Sequence, residues 1–258
     1  MSDDALGSLS QRLRTRWLGR AHEHHGRIGS TNDRAAAWSD APHGALVTAD
    51  RQDAGRGRFG RVWHSPPGAS LYASFVLRPS QADARWSALG LAVAVGLYEG
   101  LAGTIGGLGL RWPNDLLVGD RKLGGVLCEG RWAGTTPQFV VGFGLNVRAQ
   151  PWPPELAAIA TSIEQATGER CDRVALLAAV LHALEPCLEA FARDGFAAIR
   201  DRYEAACVSL GTVVAVSVDG GRARRQVRAI GLDHDGALLV QGDAGRERVE
   251  AGELLPPG

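Results

Sequence analysis

The sequence predicts an α+β protein: a mixed-sheet body over residues 1–208, then a small SH3-like β-barrel over 209–258. Three observations carry this. Strands and helices mix in the first part without a regular βαβ alternation, so a doubly wound sheet is not expected. Near residue 209 the pattern changes to short strands separated by Asp219-Gly-Gly, Asp233-His-Asp-Gly and Gly242-Asp-Ala-Gly, turn signals of the kind that space small all-β barrels. A chain of 258 residues is long enough for a large core plus one small domain.

The elements follow in order. Leu6, Leu9, Leu13 and Trp17 recur at helical spacing, which predicts a short amphipathic helix within residues 1–20. A strand follows over His22 to Ile28, and Ser30 or Thr31 is placed to cap a helix from Asp33 to Trp38. Residues 45–49 form a short apolar strand that feeds a long loop, Asp50 to Gly68, rich in glycine and arginine. Leu71 to Leu77 is a strand with aromatic and β-branched residues. Asp83 to Leu101 is a mostly apolar helix, and Leu108 to Trp112 is a strand stopped by Pro113. Residues 115–118 and 122–129 make a hairpin around Gly119-Asp120, and Gln138 to Val147 is another strand. Helices are expected at 154–166, 173–193 and 195–207.

Composition excludes several roles. Lys+Arg and Asp+Glu are both 28, so the net charge is zero, which argues against a protein that coats nucleic acid or anionic membrane. No unbroken apolar run approaches the roughly 20 residues of a membrane span, and the N-terminal residues lack a secretory apolar segment. Cys128, Cys171, Cys187 and Cys207 show no metal spacing and read as reduced, in keeping with a cytoplasmic protein.

Among the 28 basic residues only Lys122 is lysine. A chain that has drifted to arginine elsewhere keeps a lysine where a compact, movable ammonium is needed. Gly55-Arg-Gly-Arg-Phe-Gly60 matches the GxGxxG dinucleotide fingerprint in letters. That reading requires a helix at the third glycine, and the sequel Arg-Val-Trp-His-Ser-Pro-Pro-Gly cannot form one. What remains is a flexible loop carrying Arg56, Arg58 and Arg61 ahead of Trp63, suited to closing over an anion beside a flat aromatic face.

Arg111-Trp-Pro-Asn114-Asp115 puts an amide and a carboxylate at a strand end, and Lys122 opens Lys-Leu-Gly-Gly-Val-Leu seven residues on. In the predicted hairpin Asp115 and Lys122 lie near opposite ends of its strands, and Gly124 and Gly125 let a ligand approach the backbone. Val140 to Val147 is an apolar strand with two glycines that ends at Asn146. His22, His24 and His25 lack a further ligand at metal spacing, so an exposed strand is the better reading. Arg222, Arg224, Arg225 and Arg228 lack neighbouring aromatics and read as a solvated face.

Together these segments resemble the biotin protein ligases (biotin–[acetyl-CoA carboxylase] ligases). Ser30-Thr31-Asn32 resembles the STN segment of that family, and Gly55 to Trp63 its GRGRxGRxW loop. Trp112-Pro-Asn-Asp115 with Lys122-Leu-Gly-Gly-Val-Leu resembles its WPND…KxxGIL pair, and Val141 to Val147 its GIGxNV strand. The resemblance covers about residues 18–258. Phe59 stands where the loop often carries arginine, and Arg111 where lysine commonly precedes WPND. Only 29 residues precede Ser30, too few for the winged helix of members that are also repressors, so the expectation is a form without a DNA-binding domain.

The resemblance implies a catalytic domain with the class II aminoacyl-tRNA synthetase/biotin ligase fold. It implies ATP, Mg²⁺ and biotin as reactants, and formation of biotinyl-5′-AMP. Biotin is then passed to a lysine on the biotin carboxyl carrier domain of acetyl-CoA carboxylase or another biotin-dependent carboxylase. Lys122, Arg56, Arg58 and Asp115 are the catalytic candidates. Ser30, Thr31, Asn32, Gln52, Arg56, Gly57, Arg58, Lys122, Gly125 and Gly142 are the biotin candidates. Arg56, Arg58, Arg61, Trp63, Asn114, Lys122 and Asn146 are the ATP candidates, with Trp63 stacking on adenine. Asp115 is expected to receive the incoming lysine and help deprotonate it. Mg²⁺ is expected to ride on the ATP phosphates with no firm protein ligand. A homodimer is compatible with this reading, and neither DNA nor membrane is an expected partner. The alternatives are a lipoate or octanoate ligase or transferase of the same fold, and a non-catalytic biotin-binding adaptor.

Overall fold

Alternation of side chains along one central strand organises the larger sheet, as seen in a computed structural model that describes residues 6–80, 83–133, 136–218, 223–243 and 245–255. In chain order its first elements are β1 (His22–His25), α1 (Thr31–Ala37), β2 (Leu46–Ala49), β3 (Ser70–Leu77) and α2 (Leu89–Ala102). They are followed by β4 (Leu108–Arg111), β5 (Asp115–Val118), β6 (Arg121–Ala133) and β7 (Thr136–Asn146). Helices α3 (Pro154–Ala157), α4 (Ile163–Thr167), α5 (Arg173–Asp194) and α6 (Arg200–Ala206) come next. The chain ends in β8 (Val213–Ser217), β9 (Arg225–Leu232), β10 (Leu238–Gly242), β11 (Gly245–Val249) and β12 (Glu253–Leu255).

Strands β1 to β7 form one sheet in the order β1-β2-β3-β7-β6-β5-β4. Only β1 and β2 are parallel among its neighbours, so the sheet is mixed, as expected. β3 is buried at every position and pairs with β7 from Ser70↔Asn146 to Leu77↔Phe139. Because side chains alternate across a strand, Val141, Phe143, Leu145 and Val147 join the core that holds α2 and α5. Val140 turns the other way and packs with Val47, Val76 and Ala35 of α1. Gly142, Gly144 and Asn146 share the face of Val140, and this second face becomes the floor of the cleft described below.

Strands β8 to β12 form an antiparallel sheet in the order β11-β10-β9-β8-β12. It docks on the body through Trp112 Nε1, which donates to Gly236 O at 3.1 Å, and Arg200, which donates to Leu232 O at 2.8 Å. The Asp219-Gly-Gly turn and Arg222 lie outside the described residues, as does Ala244 in the last turn signal. Arg225 pairs with Glu247 and Arg228 donates to Gly211 O. By length and composition the α5 segment is apolar enough to cross a bilayer. Its Leu177, Leu181, Leu184, Leu188 and Phe191 are instead buried in the core.

Several predicted elements are corrected. Among the described residues of the 1–20 segment, a 3₁₀ turn, Leu6–Gln11, forms in place of the helix. The N–H groups of Arg16, Trp17 and Leu18 donate to the buried Glu185 carboxylate of α5 at 2.7 to 2.9 Å, so they do not close local turns. Leu6 and Leu9 are still buried, so their apolar spacing reported burial correctly. The strand expected to reach Ile28 stops at His25, and Ile28 keeps only an isolated bridge to Gln52. The helix from Asp83 divides into a 3₁₀ turn, Ala84–Ala88, and α2. The helix expected at 154–166 breaks between α3 and α4, because residues 159–161 leave it to bond the backbone of Lys122. Gly195, with φ of 66°, ends α5 ahead of a 3₁₀ turn, Gly195–Ala198, that precedes α6.

Candidate active site

A cleft of about 270 Å³ opens over the β7 and β6 face. All fifteen residues singled out from the sequence line it. Two glycines make its floor low enough to be a cleft. A Cβ on Gly142 would overlap Asn32 Oδ1, and one on Gly144 would stand 2.5 Å from Trp63 Cε2. The start of α1 forms one wall. Thr31 N and Oγ1 both donate to Gln52 Oε1, at 2.8 and 3.0 Å. Ser74 Oγ, from β3, lies 2.7 Å from Thr31 Oγ1 and 2.6 Å from Asn32 Oδ1. Asn32 Nδ2 donates to Glu129 Oε2 at 2.6 Å. Asn32 is thus held in place, with both ends of its amide engaged. Ser30 precedes the helix in an extended conformation, and its side chain makes no capping bond.

The glycine and arginine loop forms the opposite wall. Gly57 N donates to Arg61 O and Trp63 N to Gly55 O, which fold it into a tight bend. Phe59 sits in the left-handed region at φ 57° with its ring half exposed under the Arg58 guanidinium. Each arginine meets a different acceptor. Arg56 grips Asp33 with both ends of its fork, at 2.7 and 2.6 Å, and lies 3.6 Å from Glu129. Arg58 donates to Gly252 O at 2.7 Å and to Asn114 Oδ1 at 3.2 Å. Arg61 pairs with the Glu253 carboxylate. Burial lowers the pKa of Arg58, against the pull of Asp115 and Glu253.

At the centre stand Lys122, Asp115 and Arg111. The β5–β6 register sets Asp115 opposite Gly125 and Lys122 opposite Leu117, with a bulge between Leu116 and Leu117. The sequence placed Asp115 and Lys122 toward opposite ends of the hairpin, and the lysine side chain closes the gap. Its Nζ reaches Asp115 Oδ1 at 2.5 Å, passing over Gly125, where a Cβ would stand 3.3 Å from Lys122 Cε. Arg111 Nη2 takes the other carboxylate oxygen at 3.1 Å. Burial opposes the charge on Asp115, yet Lys122 and Arg111 outweigh it and hold the carboxyl below the usual range. The Lys122 backbone is fixed as firmly: its N–H donates to Ile159 O at 2.7 Å and its carbonyl accepts from Thr161 N at 2.9 Å.

Two predicted residues occupy positions that differ from simple expectation. Trp63 lies against Gly144, with Lys122 Nζ 5.5 Å from its ring centre, so less of its ring is free for a purine. Its buried Nε1 has no hydrogen-bond partner among the described residues. Asn146 Nδ2 donates to Thr161 O at 3.0 Å, bracing the segment that clasps Lys122. The sequence reading missed Arg111 as a partner of Asp115, although the two residues flank a three-residue turn and the pair is implied by any hairpin there. It also missed Asp33, Glu129, Gly252 and Glu253, which hold the loop arginines. Burial pushes the Cys128 thiol up to about 12, which disfavours its thiolate at neutral pH. The histidines of β1 are half-buried, not exposed. His22 and His24 share a face and both meet Thr48 Oγ1, at 2.8 and 3.0 Å, and burial lowers His22 to about 4.

A family model described as "Biotin/lipoate A/B protein ligase family" matches residues 26–146. The bifunctional ligase/repressor BirA of Bacillus subtilis is 33% identical over 248 residues, which span 94% of this chain and 76% of that one. The biotin–[acetyl-CoA-carboxylase] ligase of Paracoccus denitrificans is 33% identical over 89% of this chain and 98% of its own. Among solved structures, the biotin protein ligase from Aquifex aeolicus in complex with biotin and ATP superposes with a TM-score of 0.80. It is 29% identical and covers 92% of this chain and 98% of that chain.

Proposed function

The chain belongs to the biotin/lipoate A/B protein ligase family and is a ligase, and on that premise we propose that it joins biotin to a carrier lysine through biotinyl-5′-AMP. In the first step the biotin carboxylate attacks the α-phosphate of MgATP and pyrophosphate leaves. In the second, a lysine amine of a biotin carboxyl carrier domain attacks the mixed anhydride, forming an amide and releasing AMP. The carrier is that of acetyl-CoA carboxylase or another biotin-dependent carboxylase, a reading supported by the names of the relatives.

One observation carries the proposal: the chain's only lysine meets three loop arginines and a glycine-floored apolar cleft at one place. Both steps gather negative charge on oxygens, and cations positioned beforehand stabilise that charge without reorganisation. Lys122 bridges the biotin carboxylate and an α-phosphate oxygen. Its single-point ammonium follows the charge as it moves, which a planar guanidinium does less readily. Arg56 and Arg58 hold carboxylate and phosphate, and Arg61 supports the nucleotide end. Gly57 gives the loop room to close and exclude water. Ser30, Thr31 and Gln52 form the polar end of the biotin pocket, Asn32 shapes its wall, and Gly125 and Gly142 leave space for rings and chain. Asn114 and Asn146 line the nucleotide side, with Trp63 as apolar support beneath Lys122.

The pairing of Asp115 refines its role. A carboxylate held below its usual range by two cations is a poor proton acceptor. It is better suited to aiming Lys122 and attracting the incoming ammonium. Mg²⁺ fits as a partner of the ATP phosphates. Of the carboxylates that line the cleft, Asp115 and Glu253 are engaged with cations, which leaves a hard ion the substrate's oxygens and the exposed Asp120 at the edge.

The test is direct. Purified protein with α-labelled ATP, Mg²⁺ and biotin should form a protein-retained adenylate, and adding a biotin carboxyl carrier domain should discharge it with AMP release. No adenylate with biotin, or an adenylate formed with lipoate alone, would overturn the assignment.

A further inference from the structure

Arg56 is the loop arginine whose partner is most open to exchange. Both ends of its fork are taken by the Asp33 carboxylate, at 2.7 and 2.6 Å, the geometry with which a guanidinium grips any carboxylate or phosphate. Asp33 stands in the first turn of α1, one residue beyond Asn32, at the rim of the cleft that Arg56 lines. The Asp33 side chain is 58% exposed, and exposed ion pairs of this kind are weak. The other nearby carboxylate, Glu129, is differently placed. One of its oxygens is committed to Asn32 at 2.6 Å, and the other stands 3.6 Å from Arg56. Asp33 can therefore release the fork without disturbing Asn32, whereas Glu129 cannot move without doing so. The bond to Arg56 also lowers the Asp33 carboxyl, so Asp33 is charged and competes as an anion at neutral pH.

From this geometry we infer that Asp33 is a built-in stand-in for the anionic ligand: it holds the Arg56 fork until a ligand carboxylate or phosphate displaces it. The inference rests on the ligase reading above and adds a positioning residue to it. Asp33 keeps the guanidinium extended, ordered and neutralised at the rim. The incoming anion has to exchange one carboxylate partner for another. Affinity is thereby moderated. Asp33 itself contacts no reacting atom and acts only through Arg56.

The Asp33→Asn variant keeps the shape of the side chain and removes its charge. Biotin binding by titration calorimetry should tighten by about two- to five-fold, the size expected from losing a weak exposed competitor. In pyrophosphate exchange the KM for biotin should fall while kcat changes less, and Asp33→Glu should restore the wild-type KM. Removing any negative charge near an anion site has a general effect, so the same change is made in an Arg56→Gln background. The gain from Asp33→Asn should vanish there, as a double-mutant cycle requires of residues that act through each other. Weaker or unchanged biotin binding in Asp33→Asn, or an undiminished gain without Arg56, overturns the stand-in. Wild-type protein that fails to bind biotin refutes the ligase reading instead, so the two failures are distinguishable.

Discussion

Replacing Asp115 by asparagine should leave two cations facing each other across a half-buried gap. In the wild type, one carboxylate serves Lys122 at 2.5 Å and Arg111 at 3.1 Å, and the three side chains are only 32%, 17% and 19% exposed for Lys122, Asp115 and Arg111. Removing one partner of a fully buried pair costs about 3–5 kcal/mol. Lys122 is a third exposed, and water reaching it discounts that figure to about 2–3 kcal/mol. For a chain of this length each kcal/mol moves Tm by roughly 2–4 °C, so a fall of about 4–12 °C is expected. The sign of the pH dependence follows from the lowered carboxyl of Asp115. A group whose folded pKa lies below its unfolded value, near 3.9 for Asp, stabilises fully above that value. It loses the contribution as pH falls through the folded pKa. The stability gap between wild type and Asp115→Asn should therefore be constant from pH 7 to about 5 and shrink below about 4. Urea unfolding across this range measures it. Equal stability at pH 7, or a gap that persists unchanged under acid, would refute the argument that Asp115 is the charged hinge of the site. In the same variant, discharge of a preformed adenylate to the carrier should slow, because the anion that attracts the incoming ammonium is gone.

Two further substitutions test the cations and the floor. Lys122→Arg keeps the charge yet should reduce adenylate formation by about a hundred-fold, the loss typical of one misplaced charge-stabilising donor; near-normal pyrophosphate exchange would remove Lys122 from the role assigned to it. Gly142→Ala should push Asn32 off its bonds to Ser74 and Glu129, since the added methyl overlaps Asn32 Oδ1. It should cost about 1–3 kcal/mol of stability and raise the KM for biotin, and wild-type values of both would show that the wall yields freely.

How far the site could be read from the chain depended on how local each constraint was. Lys122 was marked by scarcity, and the strand that forms the floor by two glycines in an apolar run, since both signals lie within a few residues. The helix expected at 1–20 failed for the opposite reason. Its apolar period was correct, but the backbone donors of residues 16–18 are satisfied by Glu185, more than 160 residues away, and no local pattern reports such a partner. The same distance hid the grip on the loop. Gly252 and Glu253 meet Arg58 and Arg61 from the start of the last strand, so the small β-sheet enters a cleft whose sequence-predicted residues all lie in the larger body. Asp33 was hidden differently. It stands beside Asn32 in a segment already singled out, yet a carboxylate at the start of a helix is expected there for its dipole alone, and only the fork of Arg56 gives it a second use. Arg56, Arg58 and Arg61 each have an acceptor within the protein. A substrate anion entering this cleft exchanges partners with groups the protein has supplied, and the energetic question at each arginine is which acceptor it gives up.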